Sequence, residues 1–145
     1  MNYITAEEAL NIIKPGQRVF VHGGAATPHF MLRKLAERAS TLWNVEIVSI
    51  SLQGDAVIAD KKYKDNFRIN SLFVSQNVRE AVNEGRGDYV PIFLSEIPIL
   101  FRNGILPLDV ALETLPDEGA PFTVTAVGDL TLHGQTRRVE APLEA

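Results

Sequence analysis

Not one cysteine occurs among the 145 residues. That absence excludes a disulfide framework, a thiolate zinc site and a cysteine nucleophile, and it leans weakly toward a reducing compartment. There is no basic stripe either. The 14 Lys and Arg are interspersed with 18 Asp and Glu, giving a net charge of -4, so nothing is arranged to hold a phosphate backbone and nucleic acid is not an expected partner. No apolar run is long enough to span a bilayer. The start, Met1-Asn2-Tyr3-Ile4-Thr5-Ala6-Glu7-Glu8, lacks a basic segment followed by an apolar one, so a soluble, cytoplasmic protein with no membrane partner is expected. His22, His29 and His133 show no metal-ligand spacing, and no metal site is expected. Neither an internal repeat nor a low-complexity segment is present. What is present is 46% hydrophobic residues, enough for one ordinary domain with a real core.

Thr5 with Glu8 forms a capping box that starts a short helix running to about Ile13. Pro15-Gly16 turns the chain into Arg18-Val19-Phe20-Val21-His22, a β-branched and aromatic run that reads as a buried strand ended by Gly23-Gly24. Thr27-Pro28 reads as an N-cap followed by proline at the first helical position, and Phe30, Leu32, Leu35, Ala36 and Ala39 carry a helical period. The alternation repeats. Val45 to Ile50 is a strand, Phe67 to Val74 contains another, and the Asp- and Lys-rich stretch between them is a loop with some helix. Asn77 reads as the cap of a helix that Gly85 closes in a left-handed conformation. Tyr89 to Leu94, with Pro91 marking an edge or strand start, is followed by a helix from Ser95-Glu96 to Asn103 and a short strand within Leu106 to Leu112. Trp43 and Phe73 are most simply core residues. Strands alternating with helices predict an α/β fold with a mainly parallel sheet covered by helices on both faces.

The texture changes near Glu113. Leu115 to Pro121 looks like a linker, and Phe122 to Thr125, Leu130 to Leu132, a Gly134 turn and Arg138 to Ala141 look like a β-hairpin. The expected division is therefore 1–112, an incomplete α/β domain, and 113–145, a linker and hairpin of different character.

In an open parallel sheet, ligands collect beyond the carboxyl ends of the strands. That rule selects Gly23, Gly24, Ala25, Ala26, Thr27 and Pro28 after the first strand, Ser51 to Gly54 after the second, Ser75, Gln76 and Asn77 after the third, and Ser95-Glu96 after the fourth. Small residues in the first loop let a ligand approach the backbone, and a helix amino terminus at Thr27 favours a carboxylate or phosphate. The competing reading is structural, because glycine-rich turns mostly serve tight connections. His22 has the chemistry of a base or ligand, although a histidine at a strand end is more often packed and hydrogen-bonded. Glu96 is sufficiently explained by helix capping, and Lys61, Lys62 and Lys64, flanked by Asp60 and Asp65, by a solvated loop.

The words Val19-Phe20-Val21-His22-Gly23-Gly24-Ala25-Ala26-Thr27-Pro28, Phe73-Val74-Ser75-Gln76-Asn77-Val78-Arg79-Glu80-Ala81-Val82-Asn83-Glu84-Gly85, Asp88 to Pro98 and Gly104 to Leu112 resemble, in unbroken order, the acetyl-CoA hydrolase/transferase family. That family includes acetate and 4-hydroxybutyrate CoA-transferases. The resemblance covers roughly residues 3–112 and implies a two-domain enzyme that moves CoA between carboxylates through a glutamyl-CoA thioester, with the glutamate and most CoA contacts in a carboxy-terminal half absent here. It implies acyl-CoA and a small carboxylate as ligands, coenzyme A as substrate rather than bound cofactor, and a homo-oligomer or the absent half as protein partner. No catalytic residue is assigned. Gly23, Gly24, Ala25, Ala26, Thr27, Ser75, Gln76 and Asn77 are the substrate-binding candidates. After Leu112, Gly119 to Thr125 with Gly128 to Arg137 resembles a hairpin of YceI-like polyisoprenoid-binding barrels, which would imply a fusion, a misassembled frame or an artificial chain. The alternative reading that follows is a non-catalytic lipid-binding or interaction module built on that hairpin.

Overall fold

Thr5 opens the first helix as its spacing from Glu8 requires: the Glu8 amide donates to the Thr5 hydroxyl at 3.2 Å, and the Thr5 amide donates to the Glu8 carboxylate at 3.0 Å. This helix, α1 (Ala6–Leu10), stops at Leu10 and not at Ile13, which is nonetheless fully buried. The computed structural model describes residues 4–117, 120–128 and 135–139, with side chains over 4–114.

The β-branched runs form strands as expected: β1 (Arg18–Val21), β2 (Val45–Ser49), β3 (Phe67–Ser71), β4 (Gly87–Tyr89) and β5 (Val110–Asp117). These five pair in parallel, in the order β4-β3-β2-β1-β5. Beyond β5 the sheet continues with β6 (Ala120–Gly128) and β7 (Gln135–Val139), both antiparallel. The helices α2 (His29–Glu37), α3 (Arg79–Asn83) and α4 (Ile97–Arg102) lie in the crossovers.

Side-chain alternation along each strand divides the core in two. Val19, Val21, Ile47 and Ile69 face one side and meet α1, α2 and α3 in the larger apolar cluster. The stripe Met31, Leu32, Leu35 and Ala36 is the buried side of α2. Each buried leucine contributes about 1.5–3 kcal/mol, and truncating Leu35 to alanine would cost about 2–5 kcal/mol. Val48 and Leu72 face the other side and pack with Ile97 and Leu100 of α4. Cross-strand ion pairs reinforce the register, Arg18 with Glu46 at 2.6 Å and Arg68 with Asp88 at 2.6 Å.

Several local expectations are corrected. Trp43 and Phe73 are not core; each is 63% exposed. Leu42 takes the buried position before β2, and Asn44 turns left-handed (φ 51°), which swings Trp43 outward. Phe73 follows buried Leu72 at a point where β3 has already ended at Ser71, so no sheet surface receives its ring. Pro28, not Thr27, occupies the N-cap of α2, and Val78, not Asn77, that of α3. The strand expected over Tyr89 to Leu94 is β4, which ends at Tyr89 before Pro91. Residues 115–117 and 120–121, expected as a linker, belong to β5 and β6, with a register irregularity between Leu115 and Asp117. A proline removes one ladder donor, and Pro116 sits at that irregularity, where the loss is tolerated. The Leu130 to Leu132 segment, His133 and the Gly134 turn lie outside the described residues.

Candidate functional site

Parallel pairing sends the connections after β1, β2, β3 and β4 out at the same edge of the sheet. From β1 to β4 the chain steps steadily in one direction, and it then crosses back to place β5 on the far side of β1. The winding therefore reverses beside β1, whereas the cleft described below opens at the same edge between the connections after β2 and β3.

Three of these connections are tied to one another. The Gly24 amide donates to the Ser51 carbonyl at 2.8 Å. Thr27 is buried, and its hydroxyl donates to the Gly24 carbonyl at 2.8 Å while accepting from the Gln53 amide at 3.2 Å. The Asn77 side-chain amide donates to the Gly54 carbonyl at 2.9 Å, and the Ser75 hydroxyl donates to the Asn77 side-chain oxygen at 2.6 Å. Gly54 is left-handed (φ +64°), and a β-carbon there would lie 2.6 Å from the His29 ring. Each bond fixes a polar group that is otherwise left to water, so successive links stiffen the rim.

Between the second and third connections lies an open cleft of about 620 Å³. Its walls are Ser51 to Gly54 on one side and Phe73 to Asn77 on the other, with Arg79 at the start of α3. Of the residues expected to bind substrate, Ser75, Gln76 and Asn77 stand on the wall. Gly23, Gly24, Ala25, Ala26 and Thr27 do not; their connection braces Ser51 to Gly54 from behind through the Gly24 and Thr27 bonds. Phe73 supplies an apolar surface beside the polar donors, the mixture usual in small-molecule sites.

A second hollow of about 610 Å³ adjoins the first across Gly54 and Asn77 and contains Asp55, Lys61, Lys62, Glu80 and Arg86. Its cations are matched by acids, Lys61 with Glu84 at 3.6 Å, Lys62 with Asp60 at 3.7 Å and Arg86 with Glu84 at 2.8 Å, as on a solvated surface. Glu96 accepts from the Phe93 amide at 3.4 Å, a capping contact, and is absent from the cleft wall. His22 donates its backbone amide to the Leu112 carbonyl at 2.9 Å, and its buried Nδ1 has no hydrogen-bond partner among the described residues. Among the described residues no group of three or more His, Asp or Glu side chains is placed to hold a metal ion, and no helix is long and apolar enough to cross a membrane.

Arg79 was missed at the level of sequence, although a signal existed. It directly follows the third connection, and the residues one turn away along the chain, Ser75, Gln76, Val82 and Asn83, include no acid to neutralise it. Gln53 lies in the second loop that the strand-end rule selects, whereas Phe73 carried no comparable signal, because its place on the wall depends on where β3 ends.

Comparison with known proteins agrees with this architecture. Residues 2–125 match the family model described as the Acetyl-CoA hydrolase/transferase N-terminal domain. A succinyl-CoA:acetate/propanoyl-CoA:succinate CoA transferase of Fasciola hepatica is 42% identical over 116 residues, covering 77% of this chain and 24% of that protein. A 4-hydroxybutyrate coenzyme A transferase of Clostridium kluyveri is 36% identical over 109 residues, covering 75% and 25%. Among solved structures, that of RipA from Yersinia pestis superposes with a TM-score of 0.68 at 21% identity, covering 85% of this chain and 31% of that one, a likeness of fold. The chain spans about a quarter of the length of the curated relatives it matches. By the match over residues 2–125, the chain belongs to the acetyl-CoA hydrolase/transferase family, in the region of its amino-terminal domain.

Proposed function

We propose that this chain is the amino-terminal part of a CoA-transferase or acyl-CoA hydrolase acting on small carboxylates, that it contributes one wall of the substrate cleft, and that it is inactive alone. The observation that carries this reading is the linked rim, in which the connections after β1, β2 and β3 hold the cleft walls at the carboxyl edge of the sheet. A cleft with polar donors on one edge suits an acyl carboxylate, but acyl transfer also needs a nucleophile and oxyanion donors converging on one carbon. Among the described residues, none on the wall is a carboxylate. The exposed side chains of Phe93, Leu94, Ile99 and Ile105 support the same reading, since an apolar surface of this kind on a quarter-length chain suits packing against further protein. The final strands extend the same sheet through β5, which favours one α/β body over a separate lipid-binding module.

Titration calorimetry with acetyl-CoA, acetate and succinate tests the proposal, using the chain alone and mixed with the carboxy-terminal part of a close relative. Ligand binding without turnover by the chain, and turnover once the second part is added, is the expected outcome. Turnover by the chain alone, or neither binding nor complementation, would refute it.

A further inference from the structure

Among the described residues, Arg79 is the one charged side chain on the cleft wall. Among the described residues it has no ion pair or hydrogen bond, whereas Arg18, Arg68 and Arg86 are each held by a carboxylate. Its sequence neighbour Glu80 belongs to the adjoining hollow, not to the cleft. The polar groups beside it are already engaged: Ser75 gives its proton to Asn77, Asn77 gives its amide to Gly54, and Gln53 gives its amide to Ser51. The planar fork of donors on Arg79 is therefore the strongest uncommitted hydrogen-bonding group the cleft offers. A guanidinium fork pairs best with two oxygens of one anionic group.

We propose that Arg79 determines specificity by binding an anionic oxygen group that the ligand carries away from its reacting carboxyl, either the distal carboxylate of a dicarboxylate or a phosphate of coenzyme A. This rests on the substrate-cleft reading above and goes beyond it by naming the residue that selects among ligands. Phe73 lies on the same wall, so a short apolar spacer can cross the aromatic surface while the anion reaches the guanidinium.

The test is amide-resolved NMR titration of the whole chain with acetate, succinate, pantetheine and coenzyme A, repeated for Arg79→Gln and Arg79→Lys. Loss of one charge-assisted pair should weaken the selected ligand by about tenfold in the glutamine variant, with part of that loss restored in the lysine variant. If the succinate-to-acetate preference collapses in Arg79→Gln, the anion is the distal carboxylate. If instead the coenzyme A-to-pantetheine preference collapses, it is a phosphate. Amides of Ser51 to Gly54 and Ser75 to Asn77 that shift with every ligand, while both preferences survive Arg79→Gln, would overturn the role of Arg79 and leave the cleft standing. Amides that shift with no ligand would remove the cleft reading and this inference together.

Discussion

Gly23 passes so close to Ser51 that a β-carbon on Gly23 would sit 2.4 Å from the Ser51 carbonyl oxygen and 3.0 Å from its amide nitrogen. Both obstacles are backbone, so neither can swing aside. The contact sits beside the Gly24-to-Ser51 hydrogen bond that joins the first two connections of the rim. Gly23→Ala should therefore destabilise the fold by about 1–3 kcal/mol through overpacking and disturb the cleft wall at Ser51 to Gly54. Urea denaturation measures the first effect and amide shifts the second. An alanine variant with an unchanged midpoint and unchanged shifts would show that the two segments separate freely.

Thr27 makes the second link in the same place. Its hydroxyl is donor to Gly24 and acceptor from Gln53 at once, in a buried position. Thr27→Val keeps the shape and removes both bonds of the buried hydroxyl, which should cost about 0.5–1.5 kcal/mol for each bond lost. Thr27→Ser should recover most of that loss, leaving only the deficit of one methyl group. A valine variant as stable as the parent would mean that water replaces the hydroxyl.

The contrast between these links and the sequence shows what a local pattern can carry. Thr5 and Glu8 were legible because a capping box needs only residues within one turn, and Gly85 because a left-handed helix end is a single-residue requirement, met here at φ +75°. The strand and helix alternation, and with it the edge holding the candidate site, followed from period and turn chemistry in the same way. Asn77 was read as a helix cap because its neighbours suit one. In the fold its amide reaches Gly54, 23 residues away, and no local pattern encodes that. Phe73 and Trp43 failed for a related reason: a large apolar residue is buried only if an element continues beneath it, and β3 stops at Ser71. Arg79 shows the converse, a charge with no ion pair among the described residues, whose meaning depends on the wall it joins.

Ser49 and Ser71 face each other across β2 and β3, fully or almost fully buried, and neither hydroxyl has a hydrogen-bond partner among the described residues. Burying an unbonded hydroxyl costs about 1–3 kcal/mol. Ser49→Ala and Ser71→Ala should therefore leave the denaturation midpoint unchanged or raise it, against the usual direction for core substitutions. A loss of more than about 1 kcal/mol in either variant would reveal a buried water bridging the pair, and a loss that appears only in the single variants would mean that the two hydroxyls bond each other.

Glu84 ends α3 and holds Arg86, whose guanidinium in turn donates to the Ala59 carbonyl at 2.6 Å. The hydrogen bond from Arg86, followed by the charge of Lys61, holds the Glu84 carboxyl below the ordinary glutamate value of 4.5. A carboxyl whose folded pKa lies below its unfolded one binds fewer protons in the native state, so its stabilisation is complete above the unfolded value and fades as pH falls through the folded value. Glu84→Gln removes that contribution. The variant should be less stable than the parent at neutral pH, and the gap between their urea midpoints should close as the pH falls through the folded-state value of the Glu84 carboxyl. A gap that stays constant with pH would place the effect of Glu84 in helix packing, and a gap that widens in acid would contradict the direction of the shift.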